Sequence, residues 1–126
     1  MEDAVVAEPL DKAGTTYCFA VFDGHGGDHC ARWAARELPR RIRAVLNDPD
    51  VHVAALPLAE LLLGMDEDLR LQPRSWGCGT TAVVLIVTGR GLAVANLGDS
   101  RAVLCRSGGA HCLTAAWVTA APLPPL

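Results

Sequence analysis

The sequence predicts an α+β fold, and three observations carry that prediction. β-Branched and aromatic runs at 15–22, 80–88 and 92–97 read as strands. Two stretches with apolar residues at helical spacing, 31–45 and 58–69, stand between the first of these strands and the rest. Gly89-Arg90-Gly91 and Ser107-Gly108-Gly109 supply the tight turns that antiparallel strands need.

Taken in order, residues 1–8 form a first strand and 9–14, with Asp11 and Gly14, the turn into the second at 15–22. After a glycine-rich break, Ala31, Ala35, Leu38, Ile42 and Val45 fall on one helical face and arginines on the other. Asp28 is placed to cap this helix, and Pro39 is expected to kink or split it. Asn47-Asp48-Pro49-Asp50 closes the segment as a turn. Leu58, Leu61, Leu62, Met65 and Leu69 share the apolar face of a second helix, weakened by Gly64. Residues 72–79 are a loop. The run 80–88 is apolar enough to read as a strand buried on both faces. Strands at 92–97 and 101–106 flank the interruption Gly98-Asp99-Ser100. Residues 115–126 carry no charge, no period and three prolines, and read as an unstructured apolar tail.

Length and composition bound the function. At 126 residues the chain is one domain or part of one. A net charge of -3 argues against nucleic acid or an acidic membrane surface as the main partner. The five cysteines form no C-x-x-C pair, so reduced thiols are the simplest reading. The acidic start Met1-Glu2-Asp3 lacks the basic and apolar regions of a signal peptide, and the apolar run 82–87 is far too short to span a bilayer. A cytoplasmic or nuclear location, or both, is expected.

The stretch Val21-Phe22-Asp23-Gly24-His25-Gly26-Gly27-Asp28-His29 carries the chemistry. A carboxylate at a strand end, a bare backbone carbonyl at Gly24 and an imidazole at His25 suit a hard cation and a proton donor. The competing reading, a glycine-rich turn with a surface Asp and His, is the weaker one for this ordered set. His25 and His29 are spaced i, i+4, but the intervening glycines disfavour a zinc-binding helix. The glycines match no phosphate-cradling motif. Glu2-Asp3 reads as a solvated pair unless the first strand pairs beside the second and brings both acids to Asp23. In Asn96-Leu97-Gly98-Asp99-Ser100-Arg101, Asp99 and Ser100 fit either a bulge or a site at the cleft, with Ser100 and Arg101 in buried hydrogen bonds. Cys78 has no histidine nearby in sequence to activate it, which favours a structural role.

Together these residues resemble the metal-dependent protein serine/threonine phosphatases of type 2C. Met1-Glu2-Asp3-Ala4, the segment Phe19-Ala20-Val21-Phe22-Asp23-Gly24-His25-Gly26-Gly27, Gly79-Thr80-Thr81-Ala82-Val83, and the segment from Ala95 through Asp99-Ser100-Arg101 to Leu104 match that family's motifs in order. The resemblance runs from Met1 to about Thr114. It implies a four-layer αββα sandwich of antiparallel sheets flanked by helices, present here in its N-terminal part over 1–114. It implies two Mg²⁺ or Mn²⁺ ions, with a third accessory position at Asp99. Asp23 would bridge the two ions, the Gly24 carbonyl would bind one, and Glu2 and Asp3 would help hold the cluster. His25 would protonate the leaving serine or threonine oxygen. The implied substrate is a phosphoprotein, attacked by metal-activated water, and the implied state is a monomer if the chain folds.

Two departures from the family pattern shape the expectation for activity. The family places a phosphate-gripping arginine shortly before the Glu-Asp pair, and two later aspartates complete its metal site. Neither is expected in this chain, whose residues 115–126 read as a shifted frame or read-through intron. The second functional reading is therefore a truncated, inactive fragment that binds or regulates, or has no function. Apolar faces of 80–104 are expected to lack partners, which favours association.

Overall fold

The computed structural model describes residues 1–89, 91–114 and the backbone of 119–123. A long antiparallel sheet is its frame. Strand β1 (Ala4–Pro9) turns through residues 10–15 into β2 (Thr16–Phe22). A two-residue strand β3 (Gly24–His25) leads into helix α1 (His29–Leu46), followed by helix α2 (Leu58–Arg70). The chain returns through β4 (Gly79–Thr80) into β5 (Ala82–Thr88) and β6 (Gly91–Leu97). A hairpin of β7 (Val103–Arg106) and β8 (Gly109–Cys112) follows, then β9 (Thr119–Leu123). The main sheet has the order β1-β2-β5-β6-β9, and every neighbouring pair is antiparallel. This is the expected α+β class, and these residues build one large sheet with one layer of helices.

The core lies between that sheet and the helices. Alternation sends Cys18, Ala20 and Phe22 of β2, Ala82, Val84 and Ile86 of β5, and Ala93 and Ala95 of β6 to the helix side. Helix α1 answers with Ala31, Ala34, Leu38 and Ile42, and α2 with Leu58, Leu62 and Met65. The spacing of three or four residues aligns each set on one face. Phe22, Leu38, Ile42 and Leu58 are among the largest fully buried side chains. Each contributes about 1.5–3 kcal/mol by leaving water. Arg43 ties α1 to the end of β1, with Glu8 at 2.6 Å and the Pro9 carbonyl at 2.9 Å. Arg41 pairs with Asp68 of α2 and lies over the Trp33 ring, 5.5 Å from its centroid.

Several expectations are corrected. Pro39 does not split α1, which runs unbroken over 18 residues. An interior proline costs about 3 kcal/mol, and its neighbours Leu38 and Ile42, both fully buried, offset that cost. Asp28 holds the N-cap position but makes no side-chain cap bond; its carboxylate pairs with Arg32 at 3.0 Å instead. Strand β5 is not buried on both faces: burial alternates along it, because helices cover only one side. The apolar face of 80–104 is covered in part: Leu92 and Val94 of β6 are buried, whereas Val83, Leu85 and Val87 of β5 are half-buried and Val103 is exposed. Among the described residues of the main sheet, the large apolar side chains that are exposed are Val5, Tyr17, Phe19 and Val21, on β1 and β2. The expectation of an unstructured tail fails at Thr119–Leu123, which pairs with β6 from Asn96↔Thr119 to Leu92↔Leu123. The open edge of β6 offers backbone donors and acceptors to any extended segment, and Pro122 is tolerable on an edge strand. Arg90 of the expected turn and tail residues 115–118 and 124–126 lie outside the described residues.

Candidate metal and phosphate site

Sheet register decides which acids meet. The β1–β2 ladder ends at Ala4↔Phe22, so the next residue on each strand is an acid: Asp3 on one and Asp23 on the other. Neighbouring strands lie about 4.8 Å apart. The β2–β5 ladder continues that row, with the Thr81 N–H donating to the Asp23 carbonyl at 2.9 Å. The Asp23 N–H in turn donates to Thr81 Oγ1 at 3.3 Å, and Thr81 Oγ1 shares a hydrogen bond with Ser100 Oγ at 2.7 Å. The β5–β6 ladder, ending at Ala82↔Leu97, puts Gly98 next in the row and Asp99 just beyond it. Asp99 therefore stands two strands from Asp23, about 10 Å across the sheet. All of these groups gather at one end of the sheet.

Both Asp3 and Asp23 are exposed and lie on the side of the sheet away from the helices, following Val5 and Val21 along their strands. Glu2 is used differently. Its carboxylate accepts a hydrogen bond from the Gly27 N–H at 2.9 Å, which ties the chain start to the glycine loop. Gly24 explains why that loop can pass so closely: a β-carbon there would lie 2.2 Å from the Glu2 carbonyl oxygen. Gly26 has φ of +69°, and a β-carbon would sit 2.1 Å from the Gly77 carbonyl oxygen. That residue must be glycine on both counts.

His25 is exposed, and the β3–β4 bridge sets it opposite Gly79. The imidazole lies against that glycine, where a β-carbon would be 2.7 Å from Nε2. The backbone thus holds the ring in place two residues from Asp23. His29 sits apart from this cluster; its Nε2 is 3.2 Å from Gln72 Oε1. Arg101 is exposed, which corrects its expected place in a buried hydrogen bond; only Ser100 is drawn into the network. Thr81 is a site residue that sequence reasoning misses. Its clamp on Asp23 joins residues 58 apart in sequence, and no local spacing announces it.

The donor chemistry fits a hard divalent cation in part. Among the described residues, Glu2, Asp3, Asp23 and Asp99 form no ion pair with Arg, Lys or His. Adjacent carboxylates without a cation repel, and a bound metal ion relieves that repulsion. Two aspartates on neighbouring strands and a backbone carbonyl are the oxygen ligands such an ion takes. No three His, Cys, Asp or Glu side chains of the described residues come together as a complete metal cluster.

Comparison with known proteins follows the same lines. The profile of the family described as protein phosphatase 2C matches residues 1–118. A probable protein phosphatase 1N of Homo sapiens is 48% identical over 95 residues, covering 71% of this chain and 22% of its own. A probable protein phosphatase 2C 22 of Arabidopsis thaliana is 42% identical over 99 residues, covering 77% of this chain and 25% of its own. The chain thus spans about a quarter of the length of these curated relatives. Among solved structures, a sex-determining protein of C. elegans superposes with a TM-score of 0.74 at 28% identity, over 91% of this chain and 31% of that one. A bacterial serine phosphatase superposes with a TM-score of 0.70 at 24% identity, over 93% and 57%, and so shares the fold. With the family's profile matching residues 1–118 and relatives of that name along most of its length, this chain belongs to the protein phosphatase 2C family.

Proposed function

We propose that this chain supplies the nucleophile-side wall of a metal-dependent phosphatase acting on phosphoserine and phosphothreonine in proteins. The observation that carries the reading is the register: Asp3 and Asp23 follow the last β1–β2 pair side by side, with His25 two residues on. Asp23, Asp3 and the Gly24 carbonyl would hold Mg²⁺ or Mn²⁺, two ions in all, with Glu2 in support and Asp99 at a further position. When bound, such ions lower the pKa of a shared water and offset charge on phosphoryl oxygens.

The chain's own residues do the rest. Thr81 and Ser100 fix the Asp23 backbone, so its carboxylate is presented without rearrangement. Glu2 holds Gly27 and keeps the loop closed over α1. His25, whose ring lies against Gly79, would donate the proton to a departing serine or threonine oxygen. A phosphoprotein is the substrate class, and the net charge of -3 leaves nucleic acid and anionic membranes as poor partners. No helix among the described residues is long and apolar enough to cross a membrane. We assign the chain to the cytoplasm or nucleus, as a monomer.

The test uses the purified 126-residue chain. Mn²⁺ binding by calorimetry and hydrolysis of a phosphothreonine peptide are measured together. Hydrolysis that requires Mn²⁺ and vanishes in Asp23→Ala supports the reading. Mn²⁺ binding without hydrolysis, lost in Asp23→Ala, would leave a metal-binding half-site and favour the inactive-fragment reading. A folded chain that neither binds Mn²⁺ nor hydrolyses the peptide defeats the proposal.

A further inference from the structure

The five cysteines are all free thiols, and they differ sharply in setting. Cys18 is fully buried in the core, where burial pushes its thiol up to about 12. Cys105 and Cys112 are exposed on the β7–β8 hairpin but are not opposite each other; Cys105 faces Ala110 and Cys112 faces Val103. Cys30 and Cys78 are the exception. Their sulfurs are 2.9 Å apart although the residues are 48 apart in sequence.

Cys30 sits in the first turn of α1 and Cys78 immediately before β4. A disulfide has its sulfurs about 2.05 Å apart, so closure needs a shift of about 0.9 Å. Gly77 and Gly79 flank Cys78, and nothing lies within 4 Å of where a β-carbon of Gly77 would be. The backbone there has room for the movement. Both cysteines line a cavity of about 340 Å³, together with Leu62, Met65, Ser75 and Trp76.

We propose that Cys30 and Cys78 are a redox-active dithiol that closes to a disulfide when hydrogen peroxide enters this cavity. Cys78, the more accessible of the two, reacts first. Its sulfur attacks one peroxide oxygen, the O–O bond breaks, and the sulfur is oxidised by two electrons to a sulfenic acid. The released hydroxide takes the thiol proton and leaves as water. The Cys30 sulfur then displaces the hydroxyl group from the Cys78 sulfur. The S–S bond forms, the S–O bond breaks, and the Cys30 proton leaves with the hydroxide as a second water. Cys30 is only 2% exposed. Burial, aided by the Cys78 thiol, raises its pKa to about 11, which disfavours it for the first attack.

The bond would tie α1 to the segment directly behind the site. Gly79, next to Cys78, supports the His25 ring, and Gly26 backs onto Gly77. Cross-linking two positions so distant in sequence restricts the unfolded chain. The oxidised form is therefore harder to melt.

The experiment treats the intact chain with hydrogen peroxide, alkylates remaining thiols, digests without reduction and maps linked peptides by mass spectrometry. Cys18 and Cys30 share a tryptic peptide, so fragmentation must separate them. The expected result is a Cys30–Cys78 link, a fall from five alkylatable thiols to three, and a rise of several degrees in melting temperature, all reversed by dithiothreitol. Cys78→Ser should lose both the link and the rise. Recovery of Cys78 as a thiol or sulfinic acid, while Cys105 and Cys112 are oxidised, overturns the proposal. Because the mapping is done on the unsubstituted chain, that outcome does not depend on the variant folding.

Discussion

Two phenylalanines on one strand show how differently the two faces of the sheet are used. Phe22 points toward the helices and is 1% exposed; Phe19, three residues earlier, points the other way and is 42% exposed. Both faces are apolar near the strand centres. Helices α1 and α2 cover one of them, and the other carries Val5, Tyr17, Phe19 and Val21 partly open to water before ending in Asp3 and Asp23. The covered face holds the fold together, and the open face presents the acids. An apolar alternation thus forms a sheet without deciding which side becomes the core.

The sharpest way to break this comparison is paired truncation. Phe22→Ala is expected to cost about 3–5 kcal/mol, because it leaves a cavity under the helices. Phe19→Ala should cost about 1 kcal/mol, since much of that ring is already in water. Urea unfolding of both variants measures the difference, and equal costs would mean that the open face is also a core.

At the junction of the two faces, Gly24→Ala should cost about 1–3 kcal/mol by overpacking. Its β-carbon would strike the Glu2 backbone and push the chain start from its place beside Asp23. Mn²⁺ affinity should fall with stability in this variant; unchanged affinity would show that the Glu2-Asp3 end takes no part in metal binding.

Val21→Lys tests the open face directly. Stability should change by no more than about 0.5 kcal/mol, as at other surface positions. A large loss of stability would place Val21 in a buried contact.

The smallest effect lies in the turn that joins β1 to β2. Asp11 accepts hydrogen bonds from the Thr15 hydroxyl and, at 2.8 Å, from its N–H. Those bonds lower its pKa from 3.8 to about 2. A carboxyl whose folded pKa is depressed stabilises the fold above its unfolded value and loses that contribution as pH falls through the folded one. The parent chain should therefore lose stability relative to Asp11→Asn between about pH 4 and pH 2. Thermal melts at pH 6 and pH 2.5 should show the gap narrowing; a constant gap would rule out this role for Asp11.

Much of the local structure was legible because it has local causes. The helix over 58–69 appears as Leu58–Arg70, and the strand over 15–22 as Thr16–Phe22, since periodicity and β-branching act within a few residues. Asp23, Gly24 and His25 announced themselves by their position at a strand end. Pro39 misled because local propensity was outweighed by the burial of Leu38 and Ile42 around it. Residues 119–123 misled because strand formation there depends on the unpaired edge of β6, which no property of the segment itself reveals.

By itself the sequence determined the kinds of element, their order, and the chemistry available at the ends of the strands. These follow from side-chain periodicity, glycine and proline placement, and the identities of a few acids and one histidine. Only the tertiary structure decided that Asp3 stands beside Asp23, that Thr81 clamps Asp23, and that Cys30 meets Cys78. Each of these depends on strand register or helix packing between residues 20 to 58 positions apart, and such distances are set by the whole fold and by no local signal.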